Sequence, residues 1–482
     1  MLFYLFVFFV CYLDASFSCN GEDHLEKQEM ETIALTFQGF AREGSEAIWP
    51  QFDLLDRPTL FHFSHGHVYA YGLKSPSHFW EKKIIQQLPL LFTSQFSGSL
   101  PLLHPAYLLE NERAFLIGLD HGRDGSFIPL LTFIHERFHI TQFECFDKER
   151  VVEADLSDYD NIEILALMEM EHILLTSFLQ ADDAKIKRNH LEDYVAMSHY
   201  RRQLLHSATL CWENHQQKME GLADYVSVKT FEVFPFIPHF KAEDVLIEMR
   251  QKKHQGIVTT QDALKSRHYF VGAVLGRALD FCEVQKWKKW IQRRNISLQE
   301  ILESVLKIDE QDLKERFFQL KESLGWKKIV LDIEENVYKE KKIHEEVMHS
   351  FIEREGVLIE MGTPSGPMSS GGSHQKKYQI DRQMVLMHDV SFATTQDQMW
   401  TLRFMAIPMI VEQLNGDRIF KLEGQTHLML DGQIFSLEEL VKNDQKEFKF
   451  HSLFLKHQYC ELNSHRSGIL SVKGTRVSFK FF

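Results

Sequence analysis

The sequence predicts an α+β protein: a mainly helical body with a small antiparallel sheet, followed by a C-terminal all-β module. Three observations support this fold class. Between residues 128 and 340, apolar residues recur at helical spacing in segments rich in Glu, Lys, Gln and Leu, with little proline. Short extended runs precede that region, and alternating runs separated by turn residues follow it. We therefore expect layers built from helices and antiparallel strands.

The small sheet is predicted from extended runs in the first quarter of the chain. Residues 59–63 and Val68–Tyr71 flank a turn at His65-Gly66, and a third run, residues 114–119, ends at a glycine-rich turn. Neighbouring runs joined by short turns pair most simply as antiparallel strands.

The C-terminal module is predicted from alternating runs joined by hairpin dipeptides. His427–Leu430 and Gln433–Ser436 flank Asp431-Gly432, and a similar pair of runs flanks Asn415-Gly416. Asn-Gly and Asp-Gly favour the left-handed backbone of two-residue hairpin turns. These signals predict a series of antiparallel hairpins.

The length of 482 residues corresponds to about three average domains at roughly 150 residues each. We predict a leader over residues 1–18, one large domain over 19–345 and the β module over 346–482. Residues 362–373, rich in Gly, Ser and Pro, are predicted to be a flexible loop or linker.

Residues 1–13 are almost wholly apolar and are followed by small residues, a pattern typical of a secretory signal peptide. No later run approaches the roughly 18 apolar residues that a membrane span requires. Cleavage before Cys19 would leave an N-terminal cysteine, as in lipoproteins, so a lipid anchor at Cys19 is an open alternative. We expect a secreted, periplasmic or surface-attached protein.

The charge and cysteine content exclude several functions. Lys and Arg total 54 against 68 Asp and Glu, a net charge of -14, whereas nucleic-acid binders normally carry a basic excess. The six cysteines show no close pairing, which argues against a disulfide framework. No P-loop, GxGxxG or GxSxG motif is present.

The most informative segment is the HExxH motif at His135, Glu136 and His139. A spacing of four places both imidazoles on one helical face, where they can bind one Zn²⁺. Glu136 lies beside them and is suited to act as a general base. A third histidine in the HExxHxxGxxH pattern is excluded, because residue 142 is Gln and residue 145 is Cys.

A third ligand must therefore lie further along the chain. Glu220 and Asp224 are four apart on one predicted helical face, with the small residues Gly221 and Ala223 between them. Glu220 is the preferred ligand, and Asp224 would orient a zinc histidine through its other ring nitrogen. The competing ligands are His172, His199, His206, His215, Glu171 and Glu213. A second group, His62, His65 and His67, is more typical of a solvated hairpin.

These motifs resemble the gluzincin class of zinc metallopeptidases, in which HExxH is followed by a glutamate on a second helix, often as ExxxD. The segment 220–225, EGLADY, is similar to the EGxAxY wording of several such peptidases. The resemblance covers the two motif helices and implies a zincin-like domain. Glu220 follows His139 by 81 positions, so residues 156–210 would form a helical insertion.

The resulting functional prediction is an exported zinc-dependent peptidase with Zn²⁺ held by His135, His139 and Glu220. Glu136 would take a proton from the attacking water and pass it to the leaving amine. Tyr225 is the predicted transition-state donor. Other candidates for that role are His199, Tyr200, Arg201 and Arg202.

Two further expectations concern partners. Residues 115–119, before the HExxH helix, would pair with a peptide substrate as an added strand. The alternative function is a non-catalytic, zincin-like surface or scaffold protein that binds a partner through its β module.

Overall fold

The computed structural model describes the chain from residue 19 to residue 481, with gaps. The described residues are 19–44, 47–63, 66–74, 80–94, 103–109, 112–119, 128–147, 156–234, 241–253, 261–293, 296–353, 357–361, 369–373, 376–379, 384–396, 400–412, 418–422, 427–436, 440–441, 447–457, 460–464, 468–473 and 476–481. The predicted leader, residues 1–18, lies outside them. The chain divides between Asn336 and Val337 into two compact units. The predicted boundary after residue 345 falls further along the same helix, Trp326–Glu353.

The first unit contains, among its described residues, a six-stranded mixed sheet in the order β3-β4-β2-β1-β6-β5. Its strands are β1 (Thr59–His62), β2 (Val68–Tyr71), β3 (Glu81–Ile85), β4 (Leu88–Thr93), β5 (Leu103–Leu109) and β6 (Glu112–Gly118). All neighbours are antiparallel except β1 and β6, which run parallel with Thr59 opposite Phe115. The prediction of a purely antiparallel sheet is wrong for this pair, because the chain returns through β2 to β5 before β6 joins β1.

The position of β6 also overturns the expected substrate strand. Residues 115–118 of β6 are hydrogen-bonded to β1 on one side, and β6 pairs with β5 on the other. A strand paired on both sides has no free backbone edge to offer an extended peptide. Among the described strands, β5 forms this end of the sheet.

The body of the first unit is helical, as the periodicity of residues 128–340 predicts. Its helices, including the one that continues past residue 336, are α1 (Cys19–Glu43), α2 (Ile128–Cys145), α3 (Ile162–Gln180), α4 (Ala184–Gln203), α5 (Ser207–Gln216), α6 (Leu222–Val233), α7 (Ala242–Lys253), α8 (Gln261–Phe281), α9 (Trp287–Arg293), α10 (Leu298–Leu306), α11 (Glu310–Ser323) and α12 (Trp326–Glu353). A 3₁₀ turn, Leu156–Asp160, precedes α3, and a π-turn, Gln217–Gly221, joins α5 to α6. The predicted insertion region 156–210 is helical.

Several of these helices begin at side chains that satisfy otherwise unpaired backbone N–H groups. Asn161 accepts from the backbone N–H of Glu163 at the start of α3, and Asp183 accepts from two N–H groups at the start of α4. Ser297 and Glu300 form a reciprocal capping box at α10. Each cap of this kind stabilises a helix by about 1 kcal/mol.

Aromatic packing fixes α2 against the sheet. Phe133 on α2 contacts Phe61 of β1 and Phe115 of β6, with ring centroids 5.3 and 5.7 Å apart. It also stacks on Phe37 of α1 at 5.9 Å. The apolar face of α2 is thereby buried between α1 and the sheet, which holds the HExxH helix in a defined orientation.

The π-turn and α8 lie in direct backbone contact through two glycines. A Cβ at Gly272 would lie 2.3 Å from the Gln217 carbonyl oxygen, and one at Gly221 would lie 2.5 Å from Gly272 Cα. Only glycine permits this approach. The turn that carries Glu220 is consequently anchored to a long buried helix.

The second unit contains the C-terminal strand region, which the alternating pattern predicts. Its described strands are β7 (Val357–Met361), β8 (Ser369–Ser373), β9 (Lys376–Gln379), β10 (Met384–Gln396), β11 (Trp400–Glu412), β12 (Arg418–Leu422), β13 (His427–Leu430), β14 (Gln433–Ser436), β15 (Glu447–Phe450), β16 (Leu453–His457), β17 (Cys460–Ser464), β18 (Gly468–Lys473) and β19 (Arg476–Phe481). All pairings in this sheet are antiparallel except β7 with β19.

In the second unit, a predicted hairpin is present, and part of a predicted linker is a strand. The hairpin at Asp431-Gly432 is confirmed, with both residues at positive φ (48° and 83°) as a two-residue primed turn requires. The linker prediction is wrong for residues 369–373, which form β8 and pair with β10. Residues 362–368 and the Asn415-Gly416 turn lie outside the described residues.

No helix among the described residues is long and apolar enough to cross a membrane.

Candidate metal centre

The candidate centre is built first on α2. His135 and His139 lie one turn apart, and their Nε2 atoms approach to 3.0 Å. Ligand-capable atoms of His135, Glu136 and His139 lie within 4.8 Å of one another. His135 is buried, while Glu136 and His139 are partly exposed, so the cluster is accessible from one side.

Glu220 completes a three-atom group with the two histidines. Its Oε2 atom lies 3.3 Å from Nε2 of His135 and 3.4 Å from Nε2 of His139. Glu220 belongs to the π-turn before α6, and π-turns often occur at functional sites because they redirect side chains. The fold thus brings Glu220 beside two histidines that precede it by 85 and 81 positions.

The spacing of these three atoms fits a tetrahedral zinc site. Zn–N and Zn–O bonds of about 2.0 to 2.2 Å place tetrahedral ligand atoms about 3.3 to 3.6 Å apart. In the triangle formed by the two Nε2 atoms and Oε2, the two edges to Oε2 are 3.3 and 3.4 Å and lie in this range, while the edge between the two Nε2 atoms is 3.0 Å. A donor set of two imidazoles and one carboxylate is the one found in catalytic zinc sites that keep a fourth position open.

Each histidine uses its other ring nitrogen to contact a protein acceptor. Nδ1 of His135 lies 2.8 Å from Oδ1 of the buried Asp224, and Nδ1 of His139 lies 2.7 Å from Oε1 of Gln142. Since these oxygens accept, each Nδ1 carries a hydrogen, and Nε2 is the ring nitrogen that would bind a metal after giving up its own proton. Asp224 therefore occupies the predicted orienting position.

The charges around His135 and His139 are mostly negative, which favours a bound cation. Burial opposes protonation of His135, but hydrogen bonds to Asp224 and Glu220 outweigh it and raise the pKa of His135 to about 9. Burial likewise opposes ionisation of Glu220, but hydrogen bonds from His135 and His139 hold the pKa of Glu220 well below its usual range. With Glu136 and Asp224, three carboxylates surround two imidazoles, a charge set that suits a divalent ion.

Tyr225, the predicted transition-state donor, lies elsewhere. Its hydroxyl donates to Asp280 Oδ2 at 2.6 Å, and its buried ring packs against Trp49 and Trp287. Because Asp224 faces His135, the next residue on the helix points about 100° away. The structure does not bring Tyr225 to the cluster, so its sequence-based assignment needs correction.

A different tyrosine, Tyr269 of α8, lies beside the cluster. Its ring stacks on the His135 imidazole, with centroids 5.7 Å apart and an interplanar angle of 5°. Its hydroxyl hydrogen-bonds to Glu220, and burial, followed by the Glu220 carboxylate, raises the pKa of Tyr269 above its usual range. The phenol is therefore protonated and able to donate.

Most competing ligands have other described partners. Glu171 and Glu213 bind Arg201, His206 binds Asp158, and His199 contacts Gln203. Buried His172 packs on Phe270, and His215 belongs to α5. In the second histidine group, His67 binds Glu26, His62 ends β1, and His65 lies outside the described residues.

The other transition-state candidates also have separate roles. Arg201 is buried in an ion-pair network, Arg202 donates to Asn214, and the Tyr200 ring packs on Phe317 at 4.2 Å.

Among the cysteines, Cys145, Cys211 and Cys282 are free thiols.

Sequence reasoning missed two residues that contact the centre, Gln142 and Tyr269. Gln142 lies one turn after His139, so helical spacing alone places it beside that imidazole. Tyr269 lies on a distant helix in a segment without any recognisable spacing to the motif.

Searches against protein-family models, curated proteins and solved structures gave no match for this chain.

Proposed function

We propose that this protein is a zinc-dependent peptidase with a zincin-like catalytic domain of the gluzincin class. The observation that carries the proposal is the triangle formed by Nε2 of His135, Nε2 of His139 and Oε2 of Glu220. Its two edges to Oε2, 3.3 and 3.4 Å, match a tetrahedral zinc ligand set, and the edge between the two Nε2 atoms is shorter at 3.0 Å.

His135, His139 and Glu220 would hold the metal, and each of them has a hydrogen-bond partner that fixes its position. Asp224 and Gln142 orient the two imidazoles, and Tyr269 hydrogen-bonds to Glu220. Bound zinc supplies Lewis-acid polarisation of a substrate carbonyl and of water. These supports keep the ligand atoms in place before substrate arrives, which lowers the cost of reorganisation.

Glu136 is the proposed general base. It adjoins His135 on α2 and is partly exposed at the cluster. Its carboxylate would accept a proton from the attacking water and deliver it to the leaving amine nitrogen as the C–N bond breaks. The single O–H of Tyr269, which bonds to Glu220 in the structure, would turn to the substrate and donate a hydrogen bond to the developing oxyanion.

The proposed substrate strand partner is β5. This strand packs beside α2 and lies at the end of the described sheet. An edge strand presents backbone N–H and C=O groups that an extended peptide can pair with. The proposal replaces β6, which is paired on both sides.

The experiment is to replace Glu136 with Gln in the full chain and to measure both zinc content and peptide hydrolysis. We expect zinc to remain bound and hydrolysis to fall by about 10²- to 10⁴-fold, because the general base is lost while the ligands are unchanged. Glu144→Gln is the matched control, since Glu144 lies on the same helix and pairs with Arg57. That variant should keep its activity.

Two results would count against the proposal. Full hydrolysis by the Glu136→Gln variant would remove Glu136 from the mechanism. A zinc-loaded parent protein that hydrolyses no peptide in a diverse peptide library would favour the alternative, a non-catalytic scaffold.

A further inference from the structure

Gln142 joins the two halves of the candidate centre. Its side-chain Oε1 lies 2.7 Å from Nδ1 of His139, on the HExxH helix. Its Nε2 donates to the backbone carbonyls of Lys218 and Met219, at 3.0 and 2.7 Å. Those two residues immediately precede Glu220. The Gln142 side chain therefore contacts both His139 on α2 and the turn that carries Glu220.

The hydrogen bonds of the Gln142 amide fix its orientation. An amide has one acceptor oxygen and two donor hydrogens, and here the oxygen and both hydrogens have partners. Because Nδ1 of His139 donates to Oε1, the amide cannot flip without placing its NH₂ group against that Nδ1–H and its oxygen against two carbonyls. Gln142 is also buried, which excludes water as a ready substitute.

The π-turn explains why an amide is needed. Gln217–Gly221 follows π rather than α geometry, and it is held against α8 by the contact between Gly221 and Gly272. The Lys218 and Met219 carbonyls face Gln142, so a side chain there must donate to them as well as accept from His139. Among the residue types of this size, only glutamine provides both functions in a neutral group.

Building on the proposed function, we propose that Gln142 is a positioning residue of the metal centre. It fixes the His139 tautomer that presents Nε2 and sets the distance between His139 and the turn that carries Glu220. The Nε2–Oε2 distance of 3.4 Å between those two residues is the edge of the ligand triangle that this bridge spans. Gln142 thus acts on zinc affinity without contacting the metal.

The test is zinc affinity, measured by competition with a chromogenic chelator on the full-length protein, for the parent and two variants. Gln142→Met removes both ends of the bridge at similar size, and we expect zinc affinity to fall by about 10- to 100-fold. Gln142→Glu keeps the acceptor for His139 but sets a carboxylate oxygen against the Lys218 and Met219 carbonyls, so we expect zinc affinity to fall in this variant as well. The visible spectrum of the Co²⁺-substituted protein should change in the Met variant.

A matched control separates positioning from general stability. Gln299 is also buried and lies in α10, where it donates to Glu303. Gln299→Met should lower the melting temperature of the metal-free protein as Gln142→Met does, yet leave zinc affinity and the Co²⁺ spectrum unchanged.

Zinc binding by the parent protein separates a failure of the Gln142 proposal from a failure of the proposed function. If the parent binds zinc near stoichiometrically but Gln142→Met stays within about threefold of its affinity, the bridge has no positioning role. If the folded parent binds no zinc, the proposed function itself is wrong, and the inference falls with it.

Discussion

At the scale of single residues, the candidate centre depends on histidines that use both ring nitrogens. His135 and His139 turn Nε2 inward and bond through Nδ1 to Asp224 and Gln142. Such pairing fixes the ring orientation and increases the basicity of the ligating nitrogen. The sequence predicted Asp224 in this role from its spacing to Glu220, whereas Gln142 was considered only as a departure from another motif.

Tyr269 provides the first prediction at this scale. Replacing it with Phe removes the hydroxyl beside Glu220 and keeps the ring that stacks on His135. We expect kcat for peptide hydrolysis to fall by about 10²- to 10³-fold, as for loss of one oxyanion donor, while zinc stays bound. Steady-state kinetics and zinc content check this.

The control for this change is Tyr200→Phe, because Tyr200 packs on Phe317 instead of the centre. Its kcat should stay close to that of the parent. A Tyr269→Phe variant with undiminished kcat would show that another group stabilises the oxyanion.

At the scale of secondary-structure elements, a buried ion-pair network connects the helices behind the π-turn. Arg201 of α4 binds Glu171 of α3 at 2.7 Å and both carboxylate oxygens of Glu213 of α5 at 2.8 Å. Arg267 of α8 also binds Glu171. Since α5 runs directly into the π-turn, this network holds the element that delivers Glu220.

Breaking the network should destabilise the protein strongly. Arg201→Met leaves two buried carboxylates with reduced compensation, so we expect a loss of about 3 to 5 kcal/mol in the free energy of unfolding. Arg188→Met on the same helix is the matched control, since the Arg188 side chain is half exposed where it pairs with Glu192, which also binds Arg316. That change should cost less than about 1 kcal/mol. Urea unfolding measures both.

The same variant has a defined pH dependence. Burial opposes ionisation of Glu213, but Arg201 and other cations hold the pKa of Glu213 well below its usual range. The resulting stability is present above the unfolded pKa of about 4.3 and is lost as pH falls through the folded value. The difference in unfolding free energy between the parent and Arg201→Met should therefore narrow as the pH falls below about 4.3. A gap that widens would contradict this assignment.

Elements that carry their own periodicity or turn chemistry were predictable from the sequence. The helix that carries HExxH and the hairpin at Asp431-Gly432 belong to this group. The π-turn was not, because its geometry depends on the approach of Gly221 to Gly272, a contact between distant parts of the chain. The strand β8 was also missed, since Gly and Ser favour loops unless a neighbouring strand offers a ladder.

At the scale of the whole molecule, the coarse organisation was predictable and the long-range pairing was not. The change from helical to strand periodicity indicated a helical body and a C-terminal strand region. The parallel pairing of β1 with β6 and the placement of Tyr269 beside His135 depend on tertiary packing. No local pattern encodes such contacts, so neither the two-sided pairing of β6 nor the position of Tyr269 beside the cluster was predictable.

The central claim is that one chain binds one zinc ion through His135, His139 and Glu220. The most direct measurement is metal content by mass spectrometry of the purified full-length protein, alongside His139→Ala, Glu220→Ala and the control His206→Ala. His206 is largely exposed and bonds to Asp158, away from the centre.

We expect zinc near one equivalent per chain in the parent and in His206→Ala, and a substantial loss of zinc in His139→Ala and Glu220→Ala. A folded parent protein without near-stoichiometric zinc would rule out this zinc site, as would Glu220→Ala and His139→Ala variants that keep their zinc fully.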